Sequence, residues 1–199
     1  MGGNVRTAGV ILAGGEGVRL GRVDKALLSL AGRPMLEHVL GRFAPQVTYV
    51  GLSTNAPAEH FSGFDVSVFA DNPNMRGLGP LAGIWAALDW AYQIGAKTVA
   101  TVSIDTPFIP INLVPRLITA GAPAVAASQT QVHPTVALWH VSQREQIHAQ
   151  IESGDLRLST AVMDATIVEF DGGGSDPFLN INRPADLHAA EVFLRGGAR

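Results

Sequence analysis

The 199-residue sequence contains no cysteine, which removes disulfides, thiolate nucleophiles and thiolate-held zinc or iron–sulfur sites together. A reducing compartment is permitted, and a cytoplasmic setting is the expectation. Charge is also scarce: 16% of residues are Asp, Glu, Lys or Arg, with 14 basic against 17 acidic for a formal net charge of -3. A pI near 6.0 supplies no broad positive field for a nucleic-acid backbone, so no nucleic-acid partner is expected and any anion site must be local. Long apolar runs are missing as well. The first apolar stretch meets glycines after about six residues, too short for the hydrophobic region of a secretory signal, so the start reads as mature sequence. The longest stretch free of charged residues, Leu117 to Gln143, is interrupted by Gly121, Pro123, Gln129, Gln131, His133 and Pro134. It cannot supply the ~20 continuous apolar residues of a membrane helix, and no membrane partner is expected.

What is present is 47% hydrophobic residue content, ample for a buried core, with no composition break, repeat or low-complexity linker to divide it. One domain over residues 1–199 is expected. Short β-branched runs alternate with longer amphipathic ones, the pattern of βαβ units on a mostly parallel sheet, hence an α/β fold with helices on both faces. Strands are expected at Ala8–Ala13, Val47–Leu52, Asp65–Phe69, Thr98–Ser103, Ala122–Ala127, Thr135–Trp139 and Thr166–Phe170. Helices are expected at Met35–Phe43, Gly79–Tyr92, Pro110–Ala120, Ser142–Ser153, Leu156–Met163 and Pro184–Leu194. The region after Ala122 loses the βαβ rhythm, and two strands joined by a turn at Gln129–His133 would give an antiparallel edge.

The strongest chemical signal is LAGGEGVRLGRVDK, Leu12 to Lys25, directly after the first strand. Glycines let a backbone approach phosphate oxygens and aim N–H groups at them, while Arg19, Arg22 and Lys25 can neutralise several charges, together a triphosphate cradle. It is neither the dinucleotide fingerprint, because Leu20 stands where a third glycine belongs, nor a Walker A loop, because Ala26 follows Lys25. A flexible connection with solvated basic residues is the plainer reading of the glycines alone. Asp105 follows the strand TVATVS, so its carboxylate should project from the carboxyl edge of the sheet toward the same crevice. An oxygen ligand with few protein neighbours suits Mg²⁺, whose other positions go to phosphate and water; capping a helix at Pro110 or shaping an Asp-Thr-Pro turn is the alternative. Six histidines show no HxH or HExxH spacing and no GxSxG occurs, so neither zinc hydrolysis nor acyl-enzyme chemistry is expected.

The first block extended to LAGGEGVRLGRVDKALLSLAGRPMLEHV, with GPLAG at Gly79–Gly83, IDTPFIP at Ile104–Pro110, HPTVAL at His133–Leu138 and FLNINRPADL at Phe178–Leu187, resembles the molybdenum cofactor guanylyltransferases in order and spacing. That resemblance implies a Rossmann-like nucleotidyltransferase that joins GMP from GTP to the terminal phosphate of molybdopterin, releases pyrophosphate and requires Mg²⁺. It implies that Leu12, Ala13, Gly14 and Gly15 hold the nucleotide, that Lys25 holds its phosphates, and that Asp105 binds the metal; Gly79 is expected beside the nucleotide, and Arg19 is expected to hold the departing pyrophosphate with Lys25. Asp71 would reach the guanine, whose adjacent N1–H and N2–H donors one carboxylate can accept together, unless Asp71-Asn72-Pro73 merely turns the chain. Asn55, or Ser53 in its place, would touch the nucleotide. Asn180 and Asn182, which alternate in FLNIN, would lie beside the metal and the acceptor, with capping of the last helix the rival duty for Asn182. His133 would either meet ligand or serve a turn or core.

The sequence departs from the family pattern in three places: PCD reads Ser103-Ile104-Asp105, NTP reads Asn182-Arg183-Pro184, and the paired arginines near Gly154 are reduced to Arg157. The last two fall where the pterin would be handled. The resemblance further implies GTP and molybdopterin as substrates and other molybdenum cofactor enzymes as partners. Rival functions are a cytidylyl or uridylyl transferase acting on a related pterin or a sugar phosphate, which shares the cradle but not the base loop, and a nucleotide-binding module without turnover, which does not need Asp105.

Overall fold

In the computed structural model, residues 7–14, 24–172 and 176–195 are described. The chain forms β1 (Thr7–Leu12), a two-residue hairpin β2 (Ser29–Leu30) and β3 (Arg33–Pro34), α1 (Met35–Phe43), β4 (Tyr49–Ser53), β5 (Ser67–Phe69), α2 (Pro80–Gln93) and β6 (Thr98–Ser103). There follow α3 (Leu113–Ala120), β7 (Ala124–Ser128), β8 (Gln131–His140), α4 (Arg144–Glu152), α5 (Leu158–Ala161), β9 (Thr166–Glu169) and α6 (Pro184–Arg195). The seven-stranded sheet runs β5-β4-β1-β6-β8-β7-β9. From β1 the chain builds outward through β4 and β5, then returns to lay β6 against the other side of β1, both neighbours being parallel to it. The β1/β6 boundary is therefore the switch point where open α/β sheets leave a crevice at their carboxyl edge.

Strand alternation divides the core into two layers. Ile11 of β1 and Ala100 and Val102 of β6 join Leu36, Val39 and Phe43 of α1 and Leu113 and Leu117 of α3. Ala8, Val10 and Leu12 join Leu81, Ile84 and Leu88 of α2 and Ile147 and Ile151 of α4. A third, smaller cluster sets Leu30 and Met35 against Phe108, Ile181 and Ala190 of α6. It ties the region after β1 to the region before α6.

The antiparallel part of the sheet is internal rather than at its edge. Strand β8 pairs antiparallel with both β6 and β7, and β9 adds parallel outside β7. Val136, Ala137, Leu138 and Trp139 are all buried, so β8 has no polar face to offer solvent and needs a neighbour on each side. Between Val125↔Ala137 and Ala126↔His133 the register jumps, and Pro134, which cannot donate to a ladder, falls in that bulge. The hairpin turn at Gln129 and Thr130 takes both residues to positive φ, 48° and 68°. Helix α3 begins at Leu113, not Pro110, because Gln46 Oε1 accepts from Val114 N–H at 2.9 Å while its amide donates to the Pro110 carbonyl at 2.9 Å. The expected helix over 156–163 shrinks to α5, and the β2–β3 hairpin, turning through Ala31 and Gly32 at positive φ, carries no periodicity from which to read it.

Close approach of α1 to the sheet depends on Gly9, where a Cβ would lie 2.8 Å from both Phe43 Cε1 and Val47 Cγ2. Overpacking of this kind costs ~1 to 3 kcal/mol. Gly9→Ala is expected to lower the urea midpoint with the slope unchanged; an unaltered midpoint would show that α1 and the loop after it yield freely.

Candidate active site

Strand β1 ends with Leu12, and the next two residues, Ala13 and Gly14, enter the crevice at the switch point. Ala13 N–H donates to Ser53 O at 2.8 Å and Ile104 N–H donates to Leu12 O at 3.0 Å, which binds the carboxyl ends of β4 and β6 to the exit of β1. Gly15, Arg19 and Arg22 lie outside the described residues. Lys25 opens a 3-10 turn in which Ala26 N–H donates to Asp24 Oδ1 at 3.0 Å. That cap fixes the stem of Lys25 and aims its ammonium back across the crevice.

The ammonium meets Asp105 and Asn182. Lys25 Nζ donates to Asp105 Oδ2 at 3.3 Å and to Asn182 Oδ1 at 2.5 Å. The Lys25 and Asp105 side chains are 20% and 18% exposed, so the pair is partly shielded yet open on one side. Asp105 also accepts from Ser103 Oγ at 2.6 Å, and its carbonyl accepts from Ile181 N–H at 2.9 Å. Neither helix capping nor turn formation occupies the carboxylate. Asn182 does not cap α6 with its side chain; Asp186 Oδ2 accepts from the N–H groups of Asn182 and Arg183 at 2.9 and 2.8 Å. Asn180 is exposed nearby in sequence.

Among the described residues no cluster of three or more His, Cys, Asp or Glu could hold a metal by itself. The Asp105 and Asn182 oxygens, already sharing one cation in Lys25, are hard donors that fit Mg²⁺ when phosphate and water fill the remaining positions.

A second cluster lies on the other side of β1. Asn55 and Asp71 lock reciprocally, Asn55 Nδ2 donating to Asp71 Oδ2 at 2.7 Å and Asp71 N–H donating to Asn55 Oδ1 at 3.2 Å. The turn that follows is capped by Asn72, whose Oδ1 accepts from Asn74 N–H at 3.0 Å, which leaves Asp71 Oδ1 free of that duty. Around the bare Cα of Gly83, in the first turns of α2, converge Leu12 Cδ2, Ser53 Oγ and Asp71 Oδ1, at 3.4, 3.5 and 3.9 Å from a Cβ placed there. Ser53 Oγ is buried with no hydrogen-bond partner among the described residues. Gly79, at φ 78° and ψ -164°, leads into Pro80 with no capping side chain; Pro80 has no N–H and Ala82 N–H donates to Gly79 O at 3.2 Å, which leaves Leu81 N–H as the first-turn donor that no capping side chain takes. Spatial pairing across 16 residues carries no sequence signal, and the coupling of Asn55 to Asp71 had none.

On the β7 side, Ser128 Oγ donates to Asp176 Oδ1 at 2.6 Å and lies 2.7 Å from His133 Nε2, while Phe178 N–H donates to the same carboxylate oxygen at 2.9 Å. With its single proton given to Asp176, the hydroxyl accepts from His133, which places that ring's proton on Nε2. A serine between the other two is no nucleophile arrangement. The His133 ring also rests on Phe178, centroids 4.7 Å apart, so His133 anchors the start of the FLNIN segment. Arg157 is spent on Asp155, with contacts of 2.8 and 2.9 Å; this pairing holds the Asp155 carboxyl well below its ordinary range.

Residues 9–166 match the MobA-like NTP transferase domain family. The molybdenum cofactor guanylyltransferase of Rhodobacter capsulatus is 45% identical over 194 residues, covering 98% of this chain and 100% of that protein. That of Acidiphilium cryptum is 44% identical over 92% of this chain and 93% of its own length. Among solved structures, molybdopterin-guanine dinucleotide biosynthesis protein A of Archaeoglobus fulgidus superposes with a TM-score of 0.76 at 22% identity, over 96% of this chain and 100% of that one. It establishes the shared fold.

Burial lowers the His133 pKa from 6.5, outweighing Asp176 and Glu169, which raise it. Well above the ordinary value of 6.5 the ring is neutral folded or unfolded. As pH falls below that value the unfolded chain gains a proton that the folded ring takes up later, so this contribution to stability is lost on acidification. Melting of His133→Gln is expected to decline less than the parent's between about pH 7.5 and about pH 5.5; equal or steeper decline would contradict it.

Proposed function

We infer the reaction from the premise that this chain belongs to the MobA-like NTP transferase family and, within it, to the molybdenum cofactor guanylyltransferases. The proposed reaction transfers GMP from GTP to the terminal phosphate of molybdopterin. An oxygen of that phosphate attacks the α-phosphorus in line, a new P–O bond forms, the bond from the α-phosphorus to the bridging oxygen breaks, and its electron pair leaves with pyrophosphate. No protein nucleophile is needed; the site positions the reactants and balances charge. The observation that carries this reading is the meeting of Lys25, Asp105 and Asn182 at the switch point, from segments far apart in the chain.

The backbone of Leu12 to Gly14 approaches the nucleotide. Lys25, with Arg19, neutralises the β- and γ-phosphates and the departing pyrophosphate. Asp105 and Asn182 offer the oxygens that would hold Mg²⁺, which when bound would supply positive charge to offset that of the reacting phosphates. Asn180 and Asn182 border the acceptor. The Asp71 carboxylate reads guanine N1–H and N2–H, oriented by Asn55, with Ser53 and Gly79 completing that wall. Among the described residues no helix is long and apolar enough to cross a membrane, and a cytoplasmic setting among other molybdenum cofactor enzymes suits GTP as a substrate.

Asp105→Ala is expected to melt like the parent and to lower turnover by ~100-fold or more, the scale of losing a main electrostatic group; near-normal turnover at saturating Mg²⁺ would overturn its role. Asp71→Asn presents donors to donors. Because inosine lacks the 2-amino group, the parent should prefer GTP to ITP, and the variant's ratio of specificity constants should shrink by roughly tenfold. If the ratio is the same in both proteins, guanine is read elsewhere.

A further inference from the structure

The two oxygens of Asp105 have different partners. Oδ1 accepts from the Ser103 hydroxyl at 2.6 Å, while Oδ2 faces Lys25 Nζ at 3.3 Å, the same ammonium that reaches Asn182 Oδ1. We propose that Ser103 is a positioning residue for the transfer reaction: its hydroxyl holds Oδ1 and thereby turns Oδ2 into the cation slot shared with Asn182. This deepens the reading above and rests on the metal role given there to Asp105.

Three features fix everything but the carboxylate's own torsion, which the Ser103 hydroxyl holds at Oδ1 and the Lys25 ammonium meets at Oδ2. Ser103 ends β6 in register with Leu12, and its carbonyl accepts from Thr106 N–H at 3.2 Å and Thr106 Oγ1 at 2.8 Å. The hydroxyl therefore springs from a fixed point. The Asp105 backbone is pinned by Ile181 N–H, which donates to its carbonyl at 2.9 Å. What stays soft is the final torsion of the aspartate, which has no sharp intrinsic preference and takes its angle from its partners. Since no cluster of three ligating side chains exists among the described residues, the slot leans on the aim of this carboxylate. Hydrogen bonds to metal-ligating carboxylates commonly carry ~10 to 100-fold in affinity or activity.

The test measures Mn²⁺ binding by electron paramagnetic resonance on protein saturated with a non-hydrolysable GTP analogue. Ser103→Ala is expected to bind Mn²⁺ ~10 to 100-fold more weakly, with melting and metal-free analogue affinity unchanged, and Ser103→Thr, which keeps a hydroxyl, is expected to restore binding. Parental Mn²⁺ affinity in Ser103→Ala, or failure of Ser103→Thr to restore it, overturns the proposal. Asp105→Asn, measured alongside, separates the two readings. If it also binds Mn²⁺ like the parent, the metal assignment falls with the proposal; if it loses Mn²⁺ while Ser103→Ala does not, only the role of Ser103 falls.

Discussion

One ammonium group, that of Lys25, is shared by oxygens from two distant parts of the chain, Asp105 after β6 and Asn182 before α6. Much of the architecture can be understood from what is required to bring them together. A partly shielded ion pair is worth forming only where the partners are held in place beforehand, because ordering long side chains offsets its modest Coulomb gain. Here the switch point sets β1 beside β6, the Asp24 cap fixes the stem of Lys25, and the small core of Leu30, Met35, Phe108, Ile181 and Ala190 holds the segment before α6 against the hairpin after β1. The apolar packing of this third cluster thus determines where three polar groups meet.

The same constraint divides the crevice. On the β4 side, Asp71 is locked to Asn55 near a buried Ser53 hydroxyl that has no partner among the described residues and the uncapped start of α2, the wall to which the proposed reaction assigns the base. On the β7 side, Asp176, Ser128 and His133 anchor the segment that carries Asn180 and Asn182. Between them stands the Lys25–Asp105 pair. In the proposed reaction, nucleotide and acceptor would approach from these two sides of the Lys25–Asp105 pair, as an in-line displacement demands.

The sheet was legible because burial on both faces leaves near-continuous apolar runs, as in β1, where every residue is buried, and α1 was legible to the residue. The position of β8 was not. Pro134 and the polar residues at its start read as a break, and only the bulge reconciles a proline with an internal strand. Asp105 and Lys25 announced themselves through local pattern, a strand end followed by an acid and a glycine-rich loop ending in a base. The duties of their neighbours did not. That Asp186 reaches back to the N–H groups of Asn182 and Arg183 and the Asn182 side chain goes to Lys25, or that Asn55 is spent on Asp71, follows from three-dimensional proximity, for which a single sequence offers no signal.

Guanylyl transfer to molybdopterin is defined by which nucleotide is consumed and what receives it. Pyrophosphate release should be followed with GTP, ATP, CTP and UTP in turn, each with Mg²⁺, with and without molybdopterin. GTP should give pterin-dependent release with a specificity constant at least ~100-fold above the other three, the discrimination expected when a buried site is built to pair with one base edge. Equal use of CTP or UTP, or release from GTP that ignores the pterin, would contradict guanylyl transfer to molybdopterin.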